Sequence, residues 1–159
     1  RQMADALVPF ILDPGQNIVL FSGPELLEMI DQAPVLVCND YEAELIADKT
    51  GLTFEQLALR VDTLIITRGA EGSWVHHNGD RRSVTAVPAE DVKDPTGCGD
   101  AYRAGLLLAL AKNVPLIHGA QLGSVLGAIK IAVQGCQNHR PTLAQIRASY
   151  ERHYGSWPF

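Results

Sequence analysis

Cysteine is scarce in this chain of 159 residues: Cys38, Cys98 and Cys136 lie far apart with no CxxC pair. Neither a disulfide framework nor a zinc site has the required count and spacing, and a reducing, cytoplasmic setting is expected. Charge is sparse too, at 19%, with 13 Lys and Arg against 18 Asp and Glu and a net charge of -5. That sign argues against a grip on nucleic-acid phosphates. Long apolar runs are missing, since even Ala104 to Ala111 stops at Lys112, far short of the roughly 20 residues a membrane span needs. The opening Arg1-Gln2-Met3-Ala4-Asp5 has neither an initiator methionine nor a charged-then-apolar leader pattern, and it reads as the start of a cut chain.

What is present is a good supply of core: 47% of the residues are apolar, enough for one domain of ordinary size. Val8 to Leu12 forms a short apolar run closed by Asp13-Pro14-Gly15, a strand followed by turn chemistry. Ser22 can cap a helix with apolar positions Leu26, Leu27 and Ile30, and after Pro34 the run Val35-Leu36-Val37-Cys38 reads as a buried strand. Helices are predicted over Tyr41 to Lys49, stopped by Gly51, and over Thr53 to Leu59, before a strand at Thr63-Leu64-Ile65-Ile66.

Strand, helix, strand, helix, strand predicts an α/β fold: a doubly wound, mostly parallel sheet with helices on both faces. Sites in such sheets gather beyond the carboxyl ends of strands, where Asn39 and Thr67 fall. Between Ser73 and Val87 two β-rich runs flank Asn78-Gly79, the signal of an antiparallel edge hairpin, with His76 and His77 expected on its surface. Three helical stripes follow, over Gly97 to Leu110, Leu116 to Val133 and Thr142 to His153.

The densest chemical signal is Asp94-Pro95-Thr96-Gly97-Cys98-Gly99-Asp100, a turn-rich segment opening into an apolar helix. Gly97 and Gly99 let backbone N–H groups approach an anion, and the helix dipole adds to the attraction. Asp100 is then either a favourable first-turn charge or a base facing the same place as the anion. The segment is not a P-loop, for GxxxxGK[ST] is absent. Nor is it a dinucleotide fingerprint, since Tyr102 stands at the third glycine of GxGxxG.

Asp94 to Asp100 fits D-x-x-G-x-G-D, Asn39-Asp40-Tyr41-Glu42 fits N-x-x-E, and Thr67-Arg68-Gly69-Ala70-Glu71-Gly72 fits T-x-G-x-x-G after a strand. With three motifs in this order the chain resembles the ribokinase-like, or PfkB, family of sugar and nucleoside kinases, and most closely its bacterial adenosine and nucleoside kinase branch. The resemblance implies that Asp100 is the general base and that Gly97, Cys98 and Gly99 form an anion hole. It implies that Asn39 and Glu42 organise Mg²⁺ through water. Thr67, Gly69 and Gly72 would line ATP, Ser124 would touch adenine or ribose, and Asp94 with the carbonyls of Thr96 and Gly135 would hold a monovalent cation such as K⁺.

Each of these residues also has a plainer reading. Asn39 can be a helix cap and Glu42 a first-turn acid. Cys98 can be a compact thiol, Thr67 to Gly72 a tight turn with a solvent-facing Arg68, and Ser124 a small residue in a packed helix. Taken together, residues 1–159 are expected to be the C-terminal ATP-binding and catalytic portion of a kinase acting on a nucleoside or ribose-like sugar. The acceptor-binding half and lid would precede Arg1, the full-length protein would be a homodimer, and neither nucleic acid nor a membrane is a partner. The rival reading is a nucleotide-binding module without catalysis.

Overall fold

The computed structural model describes residues 2–6 and 8–159, and the chain divides into two compact units, Arg1–Gly69 with Ser73–Ser83 and Ala70–Gly72 with Val84–Phe159. In the first unit α1 (Gln2–Asp5) precedes β1 (Ile11–Leu12), a 3₁₀ turn (Gly15–Leu20), α2 (Gly23–Ile30), β2 (Val35–Asn39), α3 (Asp40–Thr50) and α4 (Phe54–Ala58). Then come β3 (Thr63–Thr67), β4 (Ser73–His77) and β5 (Asp80–Val84). The strands form one sheet in the order β1-β2-β3-β4-β5, with β1, β2 and β3 parallel and β4 antiparallel to β3.

Local chemistry accounts for these boundaries. Gln56 and Thr53 exchange hydrogen bonds at the start of α4, as Glu42 and Asn39 do at α3, and each pair satisfies two amides that a helix start leaves without partners. Gly51 ends α3 in the left-handed conformation, where a Cβ would be strained. Asn78 and Gly79 both have positive φ, 51° and 82°, as a two-residue hairpin turn with the right-handed twist of its strands requires.

Leu36 and Cys38 of β2 and Leu64 and Ile66 of β3 share a buried cluster with Leu26, Ile30, Ala43, Ile46 and Leu57 from the helices. Their alternate neighbours Val35, Val37 and Ile65 are buried as well. Central parallel strands covered on both faces therefore carry unbroken apolar sequence. His76 corrects an expectation: it is 8% exposed rather than on the hairpin surface, because strand alternation puts only His77 outside, where its Nδ1 meets Thr63 Oγ1 at 2.9 Å. Arg68 differs as well. Its guanidinium lies 4.2 Å above the Trp74 ring centre instead of facing solvent, a cation–π stack.

In the second unit α5 (Cys98–Lys112) and α6 (Leu116–Ile131) are joined by three residues and pack antiparallel, Gly105 lying against Gly119 and Gly123, and Tyr102 against Gly123. A Cβ on Gly105 would stand 2.4 Å from the Gly123 nitrogen and 2.7 Å from the Gly119 oxygen, so the two backbones touch where side chains normally intervene. Helix α7 (Leu143–Tyr154) starts at a Thr142–Gln145 capping box. It buries Tyr150 with Val87, Leu122 and Val125. Among the described residues no helix is long and apolar enough to cross a membrane.

Candidate active site

The parallel register of β2 and β3 places Asn39 directly beside Thr67 at the carboxyl end of the sheet. Asn39 caps α3: its Oδ1 accepts from the Glu42 N–H at 2.8 Å, and Glu42 Oε2 accepts from the Asn39 N–H at 2.8 Å. The N-x-x-E spacing is thus a capping box, which fixes both side chains at the strand end and uses one of the two Glu42 carboxylate oxygens. Gly69 and Gly72 differ in kind. Gly69 has φ 53° and nothing within 4 Å of a built Cβ, whereas a Cβ on Gly72, φ 90°, would stand 2.0 Å from the Val84 oxygen. Open space beside Gly69 suits the close approach of a ligand. Gly72 is required by the turn itself.

In the second unit Gly97, φ 85°, is the left-handed residue that turns the chain into α5. The Cys98 N–H donates to the Pro95 oxygen at 3.1 Å, so this member of the expected anion hole is already engaged. The amides of Gly99 and Asp100, in the first helical turn, have no intrahelical acceptor. Asp100 is exposed, and its carboxylate accepts a hydrogen bond from Arg103 one turn along. The Arg103 guanidinium also lies 3.4 Å from where a Cβ of Gly99 would be, which brings a cation to the same helix entry. Sequence reasoning passed over Arg103, whose signal was its i+3 spacing from Asp100. Burial pushes the Cys98 thiol up, and its Sγ points to the Gly127 oxygen at 3.8 Å, as a compact packing thiol does.

Asp94 anchors this turn from behind. Its Oδ1 accepts from the Thr96 N–H at 2.9 Å, and its Oδ2 from the Gly135 N–H at 2.8 Å and from Gln134 Nε2 at 3.1 Å. The Thr96 side-chain hydroxyl first, then the Thr96 and Gly135 N–H groups, hold its carboxyl down at about 2 against an ordinary 3.8. The native state therefore loses stability as pH falls from about 4 towards 2, because there the unfolded chain binds the proton first. Asp94→Asn is expected to flatten that acid limb in a pH series of thermal unfolding curves. An unchanged limb would assign the acid sensitivity elsewhere.

Ser124 Oγ accepts from the Val87 N–H at 2.8 Å, so its hydroxyl ties α6 to the segment after β5. The pfkB family carbohydrate kinase pattern matches residues 4–143. The chain belongs to that family. This PfkB chain is 33% identical over 141 residues to a nucleoside kinase of Methanocaldococcus jannaschii, a match covering 89% of this chain and 47% of that protein. The structure of Burkholderia thailandensis nucleoside kinase in complex with inosine is 46% identical, with a TM-score of 0.95 over 99% of this PfkB chain and 53% of that one. Arabidopsis thaliana ribokinase complexed with ribose and ATP, 22% identical with a TM-score of 0.77, shares the fold. The PfkB chain spans about half the length of the curated relatives it matches.

Proposed function

We propose that this chain is the ATP-binding and catalytic portion of a nucleoside kinase that transfers the γ-phosphate of ATP to a ribose hydroxyl of a purine nucleoside. The observation that carries the reading is the entry of α5, where a left-handed Gly97 brings first-turn amides, the Asp100 carboxylate and the Arg103 guanidinium to one place. A nucleoside rather than a free sugar is favoured by the Burkholderia thailandensis relative, whose structures include complexes with inosine and with ADP-inosine.

In this reading Asp100 takes the proton of the acceptor hydroxyl as its oxygen attacks the γ-phosphorus, and the bond to the bridging oxygen of ADP breaks. The Gly99 and Asp100 amides, at the positive end of α5, stabilise charge on the transferring oxygens, with Gly97 supplying the turn that aims them. Cys98 fills the turn. By the family resemblance Thr67, Gly69 and Gly72 would line the phosphates and ribose of ATP. Asn39 and Glu42 fit a magnesium ion held through water, since Mg²⁺ keeps several waters and needs only one or two carboxylates. When bound it would neutralise phosphate charge.

The test is the full-length protein with MgATP and adenosine, inosine or ribose, product formation being followed by chromatography. Purine nucleosides are expected to exceed ribose in kcat/KM by at least about tenfold, because a site built for a base loses those contacts with the bare sugar. Nucleotide binding without turnover on any acceptor would favour the non-catalytic module instead.

A further inference from the structure

Lys130, in the last turn of α6, is fully buried. Its ammonium donates to the Asp94 backbone oxygen at 2.7 Å and to the Val133 oxygen at 3.2 Å. The family resemblance would place a free monovalent cation on Asp94 and the carbonyls of Thr96 and Gly135. Of that set, Asp94 is already engaged. The Asp94 backbone oxygen already holds the ammonium, and both its carboxylate oxygens accept N–H groups, one of them from Gly135 itself.

We propose that Lys130 is a tethered monovalent cation that does permanently what a potassium or ammonium ion would do in solution, so that the turn leading to Gly97 is ordered without any added ion. A primary ammonium and K⁺ are both compact single charges satisfied by carbonyl oxygens. Covalent attachment removes the entropy cost of capturing one. The placement is specific: the Asp94 and Lys93 amides both donate to the Ile131 oxygen, at 3.1 and 2.9 Å. Lys130 therefore closes a short lattice between the end of α6 and the start of the anion turn. A Cβ on Gly97 would stand 3.3 Å from the Cys136 oxygen, so the turn is seated directly on the segment that follows this lattice.

The experiment is a set of thermal unfolding curves for the full-length protein in sodium, potassium, ammonium and tetramethylammonium chloride at equal ionic strength. The wild-type midpoint is expected to be the same with potassium as with tetramethylammonium. Lys130→Ala is expected to lose about 5 °C, since it leaves two buried carbonyl oxygens without their donor. It is expected to regain part of that loss selectively with potassium, ammonium or added ethylammonium, which fit the vacated space. Lys130→Met, uncharged but filling the space, should be destabilised and regain nothing. A wild-type midpoint that rises selectively with potassium overturns the proposal, as does a Lys130→Ala midpoint indifferent to the cation, which would make Lys130 only a ligand of the α6 terminus. Should Lys130→Ala fold in none of the salts, the wild-type series decides alone.

Discussion

Replacing Asp100 by Asn in the full-length protein is expected to lower kcat by about 10² to 10⁴, the usual contribution of a positioned general base. ATP binding should change little. Asn has the size and shape of Asp, can still accept from Arg103, and leaves the Gly99 and Asp100 amides where α5 holds them. Only the ability to take a proton is lost. A side chain serving merely as a first-turn charge would instead show a small loss of stability with an unchanged rate. Steady-state turnover measured beside a fluorescent-nucleotide titration separates the two cases, and a wild-type kcat in Asp100→Asn removes the residue from the base role.

Gly105→Ala is expected to destabilise the protein although it improves the helix. Propensity alone favours Ala over Gly inside a helix by about 1 kcal/mol. Against that, the new methyl would sit 2.4 Å from the Gly123 nitrogen and 2.8 Å from its Cα, and these are backbone atoms that cannot rotate away. Overpacking of this kind typically costs roughly 1 to 3 kcal/mol, and with main chain on the other side the upper end applies. A net loss of about 2 kcal/mol should lower the midpoint by about 6 °C in a chain of this length. Calorimetry reads the sign directly: a midpoint at or above wild type would mean that α5 and α6 do not approach as closely as described.

The sheet and its covering helices were legible because each signal was local. Pro34 before Val35, Asn78-Gly79 between two β-rich runs and Thr142 three residues before Gln145 each dictate a boundary by their own chemistry. The strand-end position of Asn39 and Thr67 followed from the same pattern. What escaped was whatever depends on backbone oxygens and on distant residues. Lys130 reads as an ordinary charge in the last turn of a helix, since the carbonyls of Asp94 and Val133 leave no trace in the sequence. The seam formed by Gly105, Gly119 and Gly123 was equally silent, because small residues reveal contact only when the second helix is in place. His76 was misplaced because two adjacent histidines look alike, while a strand sends them to opposite faces.

That glycine seam also bears on the order in which the chain folds. Helices α5 and α6 are separated by three residues, whereas β2 and β3 must meet across two intervening helices before Val35 can pair with Thr63. Short closures form early and long parallel pairings late. The α5–α6 hairpin is therefore the natural nucleus of its unit, and the turn that carries Asp100 is assembled as a by-product of that first event. In stopped-flow chevrons the loss in Gly105→Ala should fall on the refolding arm, leaving the unfolding rate nearly unchanged. The geometry of the α5 entry, with its Gly99 and Asp100 amides, then follows from a contact that is local in sequence.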